Sequence, residues 1–144
     1  MSTISYRHHE RLHAGQVAAV LAATGFVALG VFQLMLAFGA AYGHAAWGGA
    51  AADLTSGQRI GSAVSVVIYA AAAAVVLARI GLSNWPRTHR LLKWTPWVLT
   101  GLFAVSAVAN FASQSHWENY LLGPTAAVLA VLCAIVARSP MTSR

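Results

Sequence analysis

The sequence predicts an all-α integral membrane protein: an up-down-up-down bundle of four transmembrane helices with its N- and C-termini cytoplasmic. Three observations lead there. Four apolar stretches are long enough to cross a bilayer, only 8% of the 144 residues are charged while 58% are hydrophobic, and the basic residues gather almost wholly beside one set of helix ends. A typical soluble domain is about one quarter charged, so this chain lacks the side chains to cover itself in water. Its length leaves room for a single domain, 1–144.

The predicted helices cover 16–38, 58–80, 94–112 and 121–138. At ~1.5 Å per residue, stretches of about 17–25 residues cross a ~30 Å hydrocarbon core. The first run follows Arg7 and Arg11 like a signal peptide, but a signal's apolar region is only ~7–15 residues, so this one is expected to stay as a span. Thr55 with Gln58 fits a capping box opening the second helix. Thr95-Pro96 places a cap residue before a first-turn proline in the third, and Gly123-Pro124 does the same for the fourth. Ser139-Pro140 closes the last run.

Orientation follows from charge. Arg7, Arg11, Arg79, Arg87, Arg90, Lys93, Arg138 and Arg144 lie on one side, and of the nine basic residues only Arg59 lies on the other, with Asp53 and Glu118. That bias places the termini and the 81–93 loop in the cytoplasm. The tryptophans agree: Trp85, Trp94 and Trp97 fall at the inner interface, Trp47 and Trp117 at the outer one. Small residues at four-residue spacing (Gly61, Ser65, Tyr69; Ala70, Ala74, Ala78; Ala126, Ala130, Ala134) are expected to let helices pack closely or to serve dimerisation.

The same residues exclude several functions. A nucleic-acid binder would collect its net charge of +6 on one aqueous face or in a tail, not between apolar runs. Proton-coupled transport calls for a carboxylate inside the membrane, and Glu10, Asp53 and Glu118 all fall outside the predicted hydrophobic core. One cysteine, Cys133, rules out a dithiol mechanism, and a thiol inside an apolar run is ordinarily inert. Bis-histidine haem binding needs His on facing helices, whereas His8, His9, His13 and His89 are cytoplasmic and His44 and His116 belong to outer loops. No cofactor is expected.

What remains lies on the outer side. Gln33, Tyr69 and Asn110, with Trp47 and Trp117 from the loops, are the candidate lining of an outward-opening ligand pocket. The plainer expectation for Gln33 and Asn110 is an interhelical hydrogen bond, with Ser62, Ser65 or Thr125 as partners. His44 and His116, backed by Asp53 or Glu118, carry the right ligand types for a divalent metal, without any HxH or HxxxH spacing to support it.

Three stretches, QLMLAFGAAYGHAAWGG at 33–49, RIGSAVSVVIYAAAAAVVLARIGL at 59–82 and ANFASQSHWENYLLGPTAAVLAVLCAIVARS at 109–139, resemble a group of small bacterial four-helix integral membrane proteins. The resemblance implies the architecture alone; the expected location is the bacterial inner membrane, as a multi-pass protein. It carries no activity, cofactor or catalytic residue. The functional expectation is a non-enzymatic accessory or interaction subunit in contact with the lipid bilayer, with a second copy or another membrane protein as partner and no nucleic acid. The alternative is a binder or carrier of a small apolar or amphipathic ligand. A lipid-directed enzyme using His44, His116, Asp53 and Glu118 ranks third.

Overall fold

A computed structural model describes residues 2–49, 51–81 and 89–140, with side chains from residue 12 onward except at 89. Trp85, Arg87 and Arg144 lie outside the described residues, as do the side chains of Arg7, Arg11, His8, His9, Glu10 and His89. The described chain is four long helices: α1 (Ser2–Ala37), α2 (Ser56–Arg79), α3 (His89–Phe111) and α4 (Gly123–Arg138). Two 3-10 turns, Gly43–Ala45 and Trp47–Gly49, sit between α1 and α2, and a π turn, Glu118–Leu122, leads into α4.

Each helix carries a stretch apolar and long enough to cross a membrane: Leu12–Ala37, Ser56–Arg79, Arg90–Phe111 and Glu118–Arg138. Large apolar side chains project outward all round the bundle, among them Val27, Val31, Ile60, Val67, Val105, Val108 and Val131. A water-soluble surface does not expose contiguous apolar area on that scale. The chain is a multi-pass membrane protein whose helix faces meet lipid.

Contacts at the helix ends give the arrangement. Arg79, ending α2, meets Leu92 near the start of α3 and Val136 near the end of α4. A Cβ on Gly15 of α1 would collide with Ser139, just past α4. At the other end Arg59 of α2 reaches Ala37 of α1, and Gly123 lies against Phe111 of α3. Neighbouring helices are therefore antiparallel. The core is built mainly of small residues on α1, α2 and α4 (Ala18, Ala19, Ala22, Ala72, Ala126, Ala130). At its centre Phe26, Tyr69 and Phe103 bring three helices together, with ring centroids 5.2–6.5 Å apart. Close backbone approach and dispersion take the place of the hydrophobic drive that lipid removes.

Several local expectations meet their outcome here. The Thr55–Gln58 capping box forms in both directions: Gln58 N donates to Thr55 Oγ1 at 3.3 Å and Thr55 N to Gln58 Oε1 at 2.9 Å. Of the α2 alanine stripe, Ala78 is buried while Ala70 faces outward, so 70–78 is not a single packing face. Thr95-Pro96 does not open α3. The chain is already helical at His89, Pro96 is buried inside α3, and Thr95 Oγ1 donates back to Leu91 O at 2.7 Å.

A proline inside a helix deprives the carbonyl four residues earlier of its donor. Here that carbonyl is Leu92 O, and Arg79 Nη1 donates to it at 2.7 Å. The same guanidinium donates to Val136 O at 2.8 Å and Ala137 O at 2.7 Å, carbonyls of the last turn of α4. Arg79 is thus buried as a clamp on α3 and α4, not a loop charge facing headgroups. Arg59 plays a lighter version of this part, its Nε donating to Ala37 O at the end of α1 at 3.0 Å. A cation at a helix C-terminus satisfies open carbonyls and complements the dipole. Among the Lys and Arg side chains described, Arg59 alone lies at its end of the bundle, and this bond gives that position a structural reason. Pro124 stands in the first turn of α4, as expected, and the helical path into it runs on from His116. The wider π turn before it, closed by Gly123 N donating to Glu118 O, accommodates the ring.

Candidate functional site

The polar residues of the Glu118 end form one connected cap. Its foundation is local: Ser115 precedes the helical stretch that begins at His116, and Glu118 N donates to Ser115 Oγ at 3.4 Å, as at a helix N-cap. In a full capping box the glutamate would turn back to Ser115 N. Here Ser113 Oγ accepts from Ser115 N at 3.1 Å instead, which frees the Glu118 carboxylate to face the other loop. Its Oε1 accepts from Gly48 N at 2.9 Å and its Oε2 from the Ser113 hydroxyl. Ser115 Oγ in turn donates to His44 O at 2.7 Å. Glu118 and Ser115 are both buried, so these bonds join the two connecting segments away from water.

The first segment is shaped for this contact. Trp47, Gly48 and Gly49 all adopt left-handed backbone conformations, with φ of 55°, 82° and 71°. For a tryptophan that is an uncommon conformation, sustained only where surroundings enforce it. The Trp47 ring lies over Gly61, where a Cβ would come within 2.6 Å of it, and its Nε1 donates to Ser62 Oγ at 3.2 Å. Gly49 sits so close to Ser115 that a Cβ would lie 2.7 Å from the serine Cβ. Around the cap Tyr42, Trp117 and Tyr120 stay exposed.

The predicted pocket residues separate into two groups. Gln33, Tyr69 and Asn110 line one cavity of about 40 Å3 on the bundle axis, together with Phe103, Ser106 and Leu122. Trp47 is packed on α2 in the cap, and Trp117 is 59% exposed; neither lines the cavity. The expected interhelical bonds of the amide residues are not made. Asn110 Nδ2 donates to Ser106 Oγ on its own helix at 3.3 Å, Ser65 Oγ to Gly61 O, Thr125 Oγ1 to Leu121 O, and Ser62 is taken by Trp47. Gln33 Oε1 is buried and meets no donor among the described residues.

For a metal, the geometry offers little. His44 Nδ1 lies 3.1 Å from Gly49 O, His116 stacks on Tyr120 with centroids 6.1 Å apart, and both Glu118 oxygens are engaged within the cap. Among the described residues no three His, Cys, Asp or Glu side chains gather as a metal-binding group. Asp53 lines a separate hollow of about 210 Å3 between Gly43, Trp47 and the start of α2.

Sequence reasoning passed over Ser113, Ser115 and Arg79 as site-builders. Ser115-x-x-Glu118 is a legible helix-start signature, and reading it would have fixed where the last helical stretch begins. The partner Gly48, seventy residues away, carries no such signal. No protein-family model matches this chain, and no curated protein or solved structure matches it.

Proposed function

We propose that this protein is a non-enzymatic accessory or interaction subunit of the bacterial inner membrane, with both termini cytoplasmic and the Glu118 cap on the outer face. The observation that carries the reading is how the cap spends its reactive groups. Glu118, Ser113 and Ser115 bond one another and the opposite segment, while Tyr42, Trp117 and Tyr120 remain exposed around them. That combination supports a preformed recognition surface, since exposed aromatic residues on a rigid platform are typical of protein contact sites. The charge pattern supports the orientation: Arg79, Arg90, Lys93 and Arg138 lie at one end, Asp53, Glu118 and Arg59 at the other.

The test is photo-crosslinking in intact cells from Tyr42, Trp117 and Tyr120, followed by purification in mild detergent. A discrete crosslinked partner or a self-dimer is the expected result. A protein that stays monomeric and uncrosslinked from all three positions would refute the reading.

The ligand-carrier alternative draws on the cavity beside Gln33. Pockets for small organic ligands usually enclose about 300–1,000 Å3, against about 40 Å3 here. A carrier would have to part its helices to admit such a ligand. This weighs in favour of the interaction reading.

A further inference from the structure

We propose that the α3–α4 face at the Arg79 end holds one anionic phospholipid by its headgroup. The inference goes beyond the accessory-subunit reading and depends only on the chain spanning a bilayer. Arg90, Lys93, Trp94 and Trp97 are three, four and seven residues apart along α3, so they share one face. All four are exposed, as is Arg138, the last residue of the neighbouring α4.

The cations are organised by the indoles. Lys93 Nζ lies over the Trp94 ring, 5.6 Å from its centroid, and the Arg138 guanidinium lies over Trp97 at 5.4 Å. Cation–π contact of this kind holds a flexible side chain in place while leaving its donors open. Three positive charges therefore meet on one face at headgroup depth, at the ends of the spans Arg90–Phe111 and Glu118–Arg138. The carboxylates whose side chains are described, Asp53 and Glu118, lie at the far end of the bundle.

Charge complementarity calls for an anion, and the exposed indole rings beside the cations call for one with an apolar body. A phospholipid supplies both: its phosphate against Arg90, Lys93 and Arg138, its glycerol and upper acyl region against Trp94 and Trp97. Tryptophan at this depth suits that boundary. Arg79 takes no part, because its guanidinium is spent on carbonyls.

The test uses the full chain reconstituted in phosphatidylcholine vesicles containing a minor fraction of phosphatidylglycerol, then extracted and examined by native mass spectrometry. Wild-type protein should retain one phosphatidylglycerol in preference to phosphatidylcholine. R90Q, K93Q and R138Q should each weaken retention about fivefold, as expected for one basic residue near an anionic surface. W97L, which keeps every charge, should weaken it as well, while R59Q, removing a charge at the opposite end of the bundle, should not. Inorganic phosphate should fail to displace the lipid. Absence of any preference for phosphatidylglycerol, equal loss in R59Q, unchanged retention in W97L, or displacement by phosphate would each overturn the proposal.

Discussion

Replacing Arg79 with methionine keeps an unbranched stem as far as the ε position and removes three hydrogen bonds of 2.7–2.8 Å at once. Bonds to a charged partner contribute about 1.5–3 kcal/mol each, so the gross loss is about 4.5–9 kcal/mol. Two effects offset it. The variant no longer buries a guanidinium, whose desolvation costs several kcal/mol. The end of α4 can also fray and offer Val136 O and Ala137 O to water. The expected net destabilisation is about 2–4 kcal/mol. Leu92 O has no such escape, because Pro96 cannot donate to it and it lies within α3.

A double-mutant cycle isolates that part. Pro96→Ala restores an N–H four residues after Leu92, so Arg79→Met should cost about 1–2 kcal/mol less in the Pro96→Ala background. Unfolding by sodium dodecyl sulfate in mixed micelles, followed by far-ultraviolet circular dichroism, measures all four corners. An Arg79→Met protein within about 0.5 kcal/mol of wild type would refute the clamp, since only surface changes are that mild. A coupling indistinguishable from zero would refute the link to Pro96.

Three further outcomes follow from the described contacts. Glu118→Gln keeps the shape but weakens the bond from Gly48 N, and should destabilise the protein by about 1–3 kcal/mol; hydrogen exchange should rise at 43–49 and stay unchanged at 18–26. The cavity beside Gln33 exceeds the ~10–15 Å3 a single water needs and offers polar partners. A high-resolution experimental structure should therefore show an ordered water bonded to Gln33 Oε1, and a dry cavity would contradict this. Gly15→Val places a branched side chain where α1 meets Ser139, and overpacking of this kind should cost about 1–3 kcal/mol in the same unfolding assay.

The helices were legible because lipid imposes a strong rule: backbone groups must be satisfied within the segment, and the segment must be apolar and long. Leu12–Ala37 and Ser56–Arg79 meet that rule by composition alone. The capping box at Thr55 was legible for a local reason, both partners lying within one turn. Pro96 was misread because the usual inference from proline to helix start assumes nothing else can serve the orphaned carbonyl. A guanidinium thirteen residues earlier in sequence does so. Arg79 looked like a topology signal for the same reason, since a positive charge at a helix end reads alike whether it faces headgroups or carbonyls.

The polar cluster at the Glu118 end was legible only as a composition. That Gln33, Tyr69 and Asn110 share a cavity follows from their similar depth on packed helices. That Trp47 leaves them for Gly61 depends on three consecutive left-handed residues. The glycines at 48 and 49 permit that path without announcing it. Glu118 was expected outside the hydrophobic core; it opens the fourth candidate span and is buried beneath the loop that it holds.

The most direct test of the central claim, a four-span bundle whose recognition end faces outward, is cysteine labelling in intact bacterial cells. In a Cys133→Ala background, Asp53→Cys and Gln114→Cys should react with a membrane-impermeant maleimide before lysis. Asn84→Cys and Thr142→Cys should react only after it. Labelling of Asn84→Cys or Thr142→Cys in intact cells, with Asp53→Cys and Gln114→Cys protected, would invert the bundle and contradict the account.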